Sequence, residues 1–204
     1  MQFLDFKQQF SKYIIFSTKE IEKLYPNFNK INLLSWQKKG YLQKIRNSWY
    51  CFSDIKIDQT VLFYFANKIY QPSYVSLEAA LYYYGIIPEA VFTTTSISTL
   101  KTKEFKNKYS LITYKNIKRN CFFGYKLVQK ENFTFKIADI EKALLDYLYL
   151  NYSIKNIDDI KSLRLNKHIL QEEIDFEKMN EYVKYYNSKI LVKKIKILNQ
   201  FLNA

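Results

Sequence analysis

The side chains whose types and spacing could do chemistry gather in the run LLSWQKKGYLQKIRNSWYCF at 33–52 and the residue just before it. At 100° per residue, Ser35, Lys38 and Lys39 point away from a helix face made by Leu33, Trp36 and Gly40, with Asn32 at the edge. Lys44, Arg46 and Asn47 follow in what reads as a hairpin. Asn and Ser carry donors and acceptors that match base edges, and Lys and Arg neutralise phosphates. The chemistry implied is recognition of a nucleic acid, with no bond made or broken. Ile31 also falls outward. Either it touches thymine methyl groups, or the helix boundary lies one residue away.

Catalytic arrangements are missing from the pattern. The single histidine, His168, has no cysteine or Ser–acid pair near it in the sequence. Three glycines cannot build a phosphate-cradling loop. Glu141–Lys142 lacks the spacing of a nuclease Glu-x-Lys, and Asp139, Glu141 and Asp146 read as a helix cap and solvent faces rather than metal ligands. Cys51 and Cys121 have no CxxC spacing and read as buried thiols. The expectation is a non-enzyme with no cofactor and no metal.

The elements that must hold the recognition run come before and around it. Phe3, Phe6, Phe10 and Tyr13 recur at helical spacing over 2–13. Ser17 or Thr18 starts a second helix that Pro26 closes, and a third runs from Phe28 to Lys39 and stops at Gly40. Tyr41–Ile45 and Trp49–Phe52 read as strands joined by Arg46–Asn47–Ser48. Three helices and a hairpin in this order predict a winged helix-turn-helix over 1–58. Its third helix would enter a major groove, and Lys44 and Arg46 on the wing would meet phosphates or the minor groove. The same unit could instead hold a protein partner.

Residues 59–204 predict an α+β domain. Helix 60–70 is apolar almost all round and should be buried between the two domains. Pro72, Ser76, Gly85 and Pro88 punctuate a short helix with Leu77, Ala80, Leu81 and Tyr84 on its core face and Ser76 as cap. Strands are expected at Val91–Ser98, Leu111–Lys115, Cys121–Val128 and Phe133–Ile137, then a helix from Ala138 to Leu150 capped by Asp139. Lys101, Lys103, Lys106 and Lys108 fall in the connection after the first of these strands. They read either as a second basic patch tracking a nucleic-acid backbone or as a solvated face. Four short helices over 153–204 close the chain, the last with Ile190, Lys194, Ile197 and Phe201 aligned. They cap the domain or offer a partner surface.

The formal charge of +13 invites a polyanionic partner, although a Lys-, Asn- and Ile-rich composition supplies basicity without any function. The charge is spread along the chain and forms no basic tail. Apolar content of 48% and aromatic content of 18% support a real core. No apolar run reaches transmembrane length, and Asp5 and Lys7 interrupt the N-terminal one, so a cytoplasmic protein off the membrane is expected.

PSYVSLEAALYYYGIIPE at 72–89, TTTSIS at 93–98 and IADIEKALLDYLYL at 137–150 resemble the AbiEi family of antitoxins and viral-defence regulators over roughly residues 10–150. The resemblance implies a transcriptional repressor that binds an operator, with inverted repeats, in double-stranded DNA. It also implies an antitoxin of a type IV, abortive-infection system, opposing a nucleotidyltransferase toxin without a lasting complex. The wing tip departs from the family, which often has Gly where this chain has Asn47–Ser48.

Overall fold

Local punctuation sets the first elements. The computed structural model describes residues 1–203. Helix α1 (Phe3–Phe10) leads into a two-residue strand β1 (Phe16–Ser17) and helix α2 (Thr18–Leu24). A reciprocal capping box starts α2: the Glu20 N–H donates to Ser17 Oγ at 3.2 Å, and the Ser17 N–H donates to Glu20 Oε2 at 2.6 Å. Helix α3 (Ile31–Lys38) is shorter than the predicted Phe28–Lys39, because Asn29 Oδ1 accepts from the Ile31 N–H and fixes the start there. Gly40, with φ +74°, turns the chain out of α3 into β2 (Leu42–Arg46) and β3 (Trp49–Phe52). The three strands form one antiparallel sheet in the order β1-β3-β2, with a register shift between Lys44 and Arg46. At the hairpin tip the positive φ, +68°, belongs to Ser48 and not to Asn47.

An aromatic cluster closes this unit. Phe6, Phe10, Phe16, Ile21, Leu33, Trp36, Leu42, Tyr50 and Phe52 are buried together, with Phe6 and Trp36 ring centres 4.8 Å apart. A second cluster crosses to the rest of the chain. Ile15, Ile45 and Cys51 pack with Val61, Phe65, Ala66 and Ile69 of helix α4 (Gln59–Ile69), which Asp58 caps. Segment 1–58 therefore shares a core with α4.

The remaining residues form a six-stranded mixed sheet with helices. In chain order come β4 (Ser73–Val75), α5 (Leu77–Tyr83), β5 (Thr93–Ser98), β6 (Lys103–Lys106), β7 (Leu111–Asn116), β8 (Tyr125–Lys130), β9 (Phe133–Ala138) and α6 (Ile140–Leu150). Helices α7 (Ile157–Ser162), α8 (Lys167–Glu173), α9 (Phe176–Tyr186) and α10 (Lys189–Asn203) complete the chain. The sheet order is β6-β7-β5-β4-β9-β8. The architecture is α+β, with ten α-helices and two sheets among the described residues.

Several expectations need correction. Ser73–Val75 is a central strand, antiparallel to β5 and parallel to β9, where the sequence pattern shows only the approach to a helix. Cys121 ends a short 3-10 turn rather than starting a strand, and Gly124 at φ +67° delays β8 to Tyr125. The connection holding Lys103 and Lys106 is itself an edge strand, β6. Ser76 does not cap α5: its hydroxyl donates to Asp146 Oδ2 at 2.9 Å, and Thr95 Oγ1 instead accepts from the Ala79 N–H. On α10 Lys194 and Phe201 are buried as expected, together with Leu191, Ile195, Leu198 and Leu202, while Ile190 is exposed.

Candidate nucleic-acid interface

Helix α3 has two sides because only Leu33 and Trp36 reach the aromatic cluster. Its outward stripe is Ile31, Leu34, Ser35 and Lys38, positions i, i+3, i+4 and i+7. Ile31 is 67% exposed and Leu34 60% exposed. The outward position of Ile31 agrees with the sequence pattern. Leu34 is an addition that the same helical spacing would have found. Lys38 and Lys39 are exposed, Ser35 is half-buried, and Asn32 lines a hollow at the α2–α3 turn with Pro26, Asn27 and Asn29.

The electrostatics of this unit are one-sided. Four of its five acidic residues are engaged: Glu20 in the capping box, Glu22 with Lys30 at 2.5 Å, Asp54 with Lys7 at 2.6 Å, and Asp58 as the cap of α4. The hydrogen bond from Lys7 holds the Asp54 carboxyl below the usual carboxylate range. Between Lys23 and Ser53 the chain has no Asp or Glu. Lys38, Lys39 and Lys44 have no acidic partner among the described residues. Their ammonium groups face water and are free to meet a polyanion.

The β2–β3 hairpin is not a free arm. Lys44 and Asn47 are exposed, but the Arg46 guanidinium donates to the Ile69 carbonyl and lies 4.0 Å from the centre of the Phe105 ring and 5.8 Å from that of Tyr70. Arg46, expected at a phosphate or in a minor groove, is thus committed to joining the hairpin to α4 and β6. A guanidinium is weakly hydrated and stacks well on rings, which is why this cation rather than a lysine is drawn inward.

That contact brings two separately expected patches together. Lys44, Ile45, Arg46 and Asn47 of the hairpin and Glu104, Phe105 and Lys106 of β6 line one cleft of about 460 Å³. Lys101, Lys103, Lys106 and Lys108 are all exposed, with Glu104 between them. The β6 lysines continue the cationic edge beyond the hairpin.

The acids of α6 lie elsewhere and in a different state. Asp139 caps α6, accepts from the Tyr182 hydroxyl at 2.8 Å and pairs with Lys178 at 3.0 Å; burial raises its carboxyl above the usual range. Glu141 is buried against Lys178 and the Asp175 N–H, so it does not sit on a solvent face. Asp146 has no solvent exposure either. It accepts from the hydroxyls of Tyr74 at 2.9 Å, Ser76 at 2.9 Å and Tyr186 at 2.6 Å, and from the Lys142 ammonium. Burial pushes the Tyr74 and Tyr186 hydroxyls well above their ordinary value and pulls Lys142 down. This network ties β4, α6 and α9 together inside the protein. Sequence spacing alone gives no signal for it, because helical periodicity cannot show that a face is covered by a second helix.

The cysteines offer no reactive thiolate. Burial pushes the Cys51 thiol up to about 12 and raises that of Cys121. His168 is exposed and forms a surface pair with Glu172 at 3.0 Å. Among the described residues, no three His, Cys, Asp or Glu side chains converge as metal ligands would, and no helix is long and apolar enough to cross a membrane.

No protein-family model matches the chain, and no curated protein matches it significantly.

Proposed function

We propose that the chain is a DNA-binding transcriptional repressor without catalytic activity. Residues 1–58 act in this reading as a winged helix-turn-helix, with α3 as the recognition helix and the β2–β3 hairpin as the wing. The resemblance carried by 72–89, 93–98 and 137–150 makes it more particular: an AbiEi-type antitoxin of an abortive-infection system. It would act in the cytoplasm, repress its own operon at inverted repeats and oppose a nucleotidyltransferase toxin without a lasting complex.

The observation that carries the DNA reading is the unpaired cationic surface of α3 and β2. Lys38, Lys39 and Lys44 are exposed beside Ser35, in a stretch whose acids are absent or engaged. Phosphate contacts fix a protein on the duplex, and short polar side chains read base edges. The β6 lysines extend the same charge beyond 1–58. The test is an electrophoretic titration of the full chain with duplex DNA, in wild type and in Lys38→Ala/Lys39→Ala/Lys44→Ala. We expect the triple variant to bind all sequences more weakly at unchanged thermal stability. Equal affinity in the two proteins would refute the assignment.

A second reading has its own support. Ile31 and Leu34 form an exposed apolar stripe on α3, which suits a protein partner as well as thymine methyl groups. Under that reading the unit is an interaction module, and Leu34→Ser would abolish partner capture while any DNA affinity stays as it was.

A further inference from the structure

Helix α4 is apolar on nearly every side in the sequence, and only part of it is covered. Val61, Phe65, Ala66 and Ile69 do face the shared core, and Phe63 faces the core of the larger sheet. Tyr64, Asn67 and Lys68, at i, i+3 and i+4, form a different strip. With Gln71, Pro72 and Ser73 after the helix, and with Leu127, Thr134 and Lys136 of β8 and β9, they line an open groove of about 620 Å³. The strand register explains the other wall. Leu127 pairs with Lys136, and Thr134 lies two residues away on the same face, opposite the buried Phe135 and Ile137.

Three features of this groove are unusual for plain surface. It is lined by two lysines and by no acidic residue. Neither lysine has an acidic partner among the described residues. Each ammonium instead lies near an aromatic ring, Lys68 at 5.3 Å from Tyr64 and Lys136 at 5.5 Å from Tyr125, which positions the charge without neutralising it. The third feature is the Asn67 carboxamide, 8% exposed. Its Oδ1 accepts from the Lys136 N–H, while its Nδ2 has no acceptor. Buried donors in folded proteins are nearly always satisfied, so an acceptor is missing on a residue that lines the groove together with the two lysines.

We propose that this groove binds a phosphorylated ligand, whose phosphoryl oxygens pair with Lys68 and Lys136 and, as the shielded Asn67 amide turns out to meet them, accept from its Nδ2. A phosphoryl group supplies what the groove lacks: negative charge for both ammonium groups and acceptor oxygens for the amide. The source is either a free phosphorylated small molecule or a backbone phosphate of a nucleic acid, since the chemistry at the lysines is the same. The proposal stands on the groove alone and does not depend on the repressor reading.

Titration calorimetry of the full chain with sodium pyrophosphate tests it, with a random-sequence duplex as competitor. The variants are Lys68→Gln/Lys136→Gln; Asn67→Asp, which keeps the acceptor for the Lys136 N–H but repels phosphate; and Lys193→Gln/Lys196→Gln, which removes equal charge from the exposed side of α10. Thermal melts establish that each variant is folded. Wild type should bind pyrophosphate at a single saturable site. The Lys68/Lys136 variant and Asn67→Asp should each weaken it by roughly tenfold or more, with the Lys193/Lys196 control nearly unchanged. Displacement by the duplex, with the same loss of duplex affinity in the Lys68/Lys136 variant, identifies the ligand as backbone phosphate. Failure of the duplex to displace pyrophosphate identifies a free phosphorylated molecule. Unchanged affinity in the Lys68/Lys136 variant, an equal loss in the control, or no saturable binding at millimolar pyrophosphate would overturn the proposal.

Discussion

Lysine stands in two opposite situations in this protein. On α3 and β2, Lys38, Lys39 and Lys44 are exposed and have no acidic partner among the described residues. On α6, Lys142 has no solvent exposure and is bound to Asp146 and to the Tyr186 hydroxyl, 2.7 Å away. Lys194 is a second case, donating to the Leu148 and Asn151 carbonyls at the end of α6. A formal charge of +13 counts all of them alike. The difference teaches that function must be sought where charge remains unneutralised, and that buried charge reports on how the fold is locked. Charges in water are cheap to display and easily screened, whereas a buried charge persists only with every partner in place.

The largest expected effect lies in the buried network. Asp146→Ala leaves the Lys142 ammonium inside the protein without its counter-charge, and such truncations cost about 3–5 kcal/mol. Urea unfolding should show that loss with no direct effect on DNA affinity of the folded fraction. Stability within about 1 kcal/mol of wild type would mean that water reaches the site. The same network predicts alkaline sensitivity. Tyr74 and Tyr186 are raised by burial, so their contribution is complete below the unfolded tyrosine value of about 10 and is lost as pH rises above it. A pH titration of near-ultraviolet circular dichroism should show cooperative unfolding in that window, earlier in Asp146→Ala.

Next comes apolar packing. Leu81 of α5 is fully buried, and Leu81→Ala should cost about 2–5 kcal/mol. Thermal unfolding measures it, and DNA titration corrected for active protein should be nearly unaltered. Wild-type stability with lost DNA binding would make α5 part of the binding surface and would erase the contrast between the regions. Arg46 belongs between them. Arg46→Ala removes a carbonyl hydrogen bond and the stack on Phe105, for about 1–3 kcal/mol of stability. If it lowers DNA affinity at full stability instead, the guanidinium leaves its rings to meet phosphate. The smallest effect is at Lys7, whose ion pair with Asp54 is largely exposed. Lys7→Ala should change stability by less than about 1 kcal/mol, readable as a small shift in urea midpoint.

How much of this is legible in the sequence depends on the range of the interaction that decides each residue. Local signals are readable. The Ser17–Glu20 box, the stop at Gly40 and the span of α9 follow from caps and periodicity within a few residues. Long-range competition is not. Ser76 has the residue type of a cap, but Asp146, seventy positions on, takes its hydroxyl. Asp146 reads as a solvent face until α9 is laid over it. Ser73–Val75 is too short to show a strand period and exists because β5 and β9 flank it. In the candidate site, Lys38, Lys39, Lys44 and Asn47 are exposed as expected, since nothing apolar competes for them. Arg46 is misplaced by sequence reasoning because the rings that hold it come from Tyr70 and Phe105, far along the chain.

Under the proposed function, the unneutralised lysines on α3 and β2 are the surface that meets DNA phosphates. The most direct measurement is duplex affinity of the full chain across a range of salt concentrations, for wild type and Lys38→Ala/Lys39→Ala. Each phosphate contact contributes close to one unit to the slope of log affinity against log salt. The account predicts a steep negative slope for wild type, shallower by roughly two units in the double variant, with thermal stability unchanged. A flat slope in wild type, or the same slope in both proteins, would contradict it.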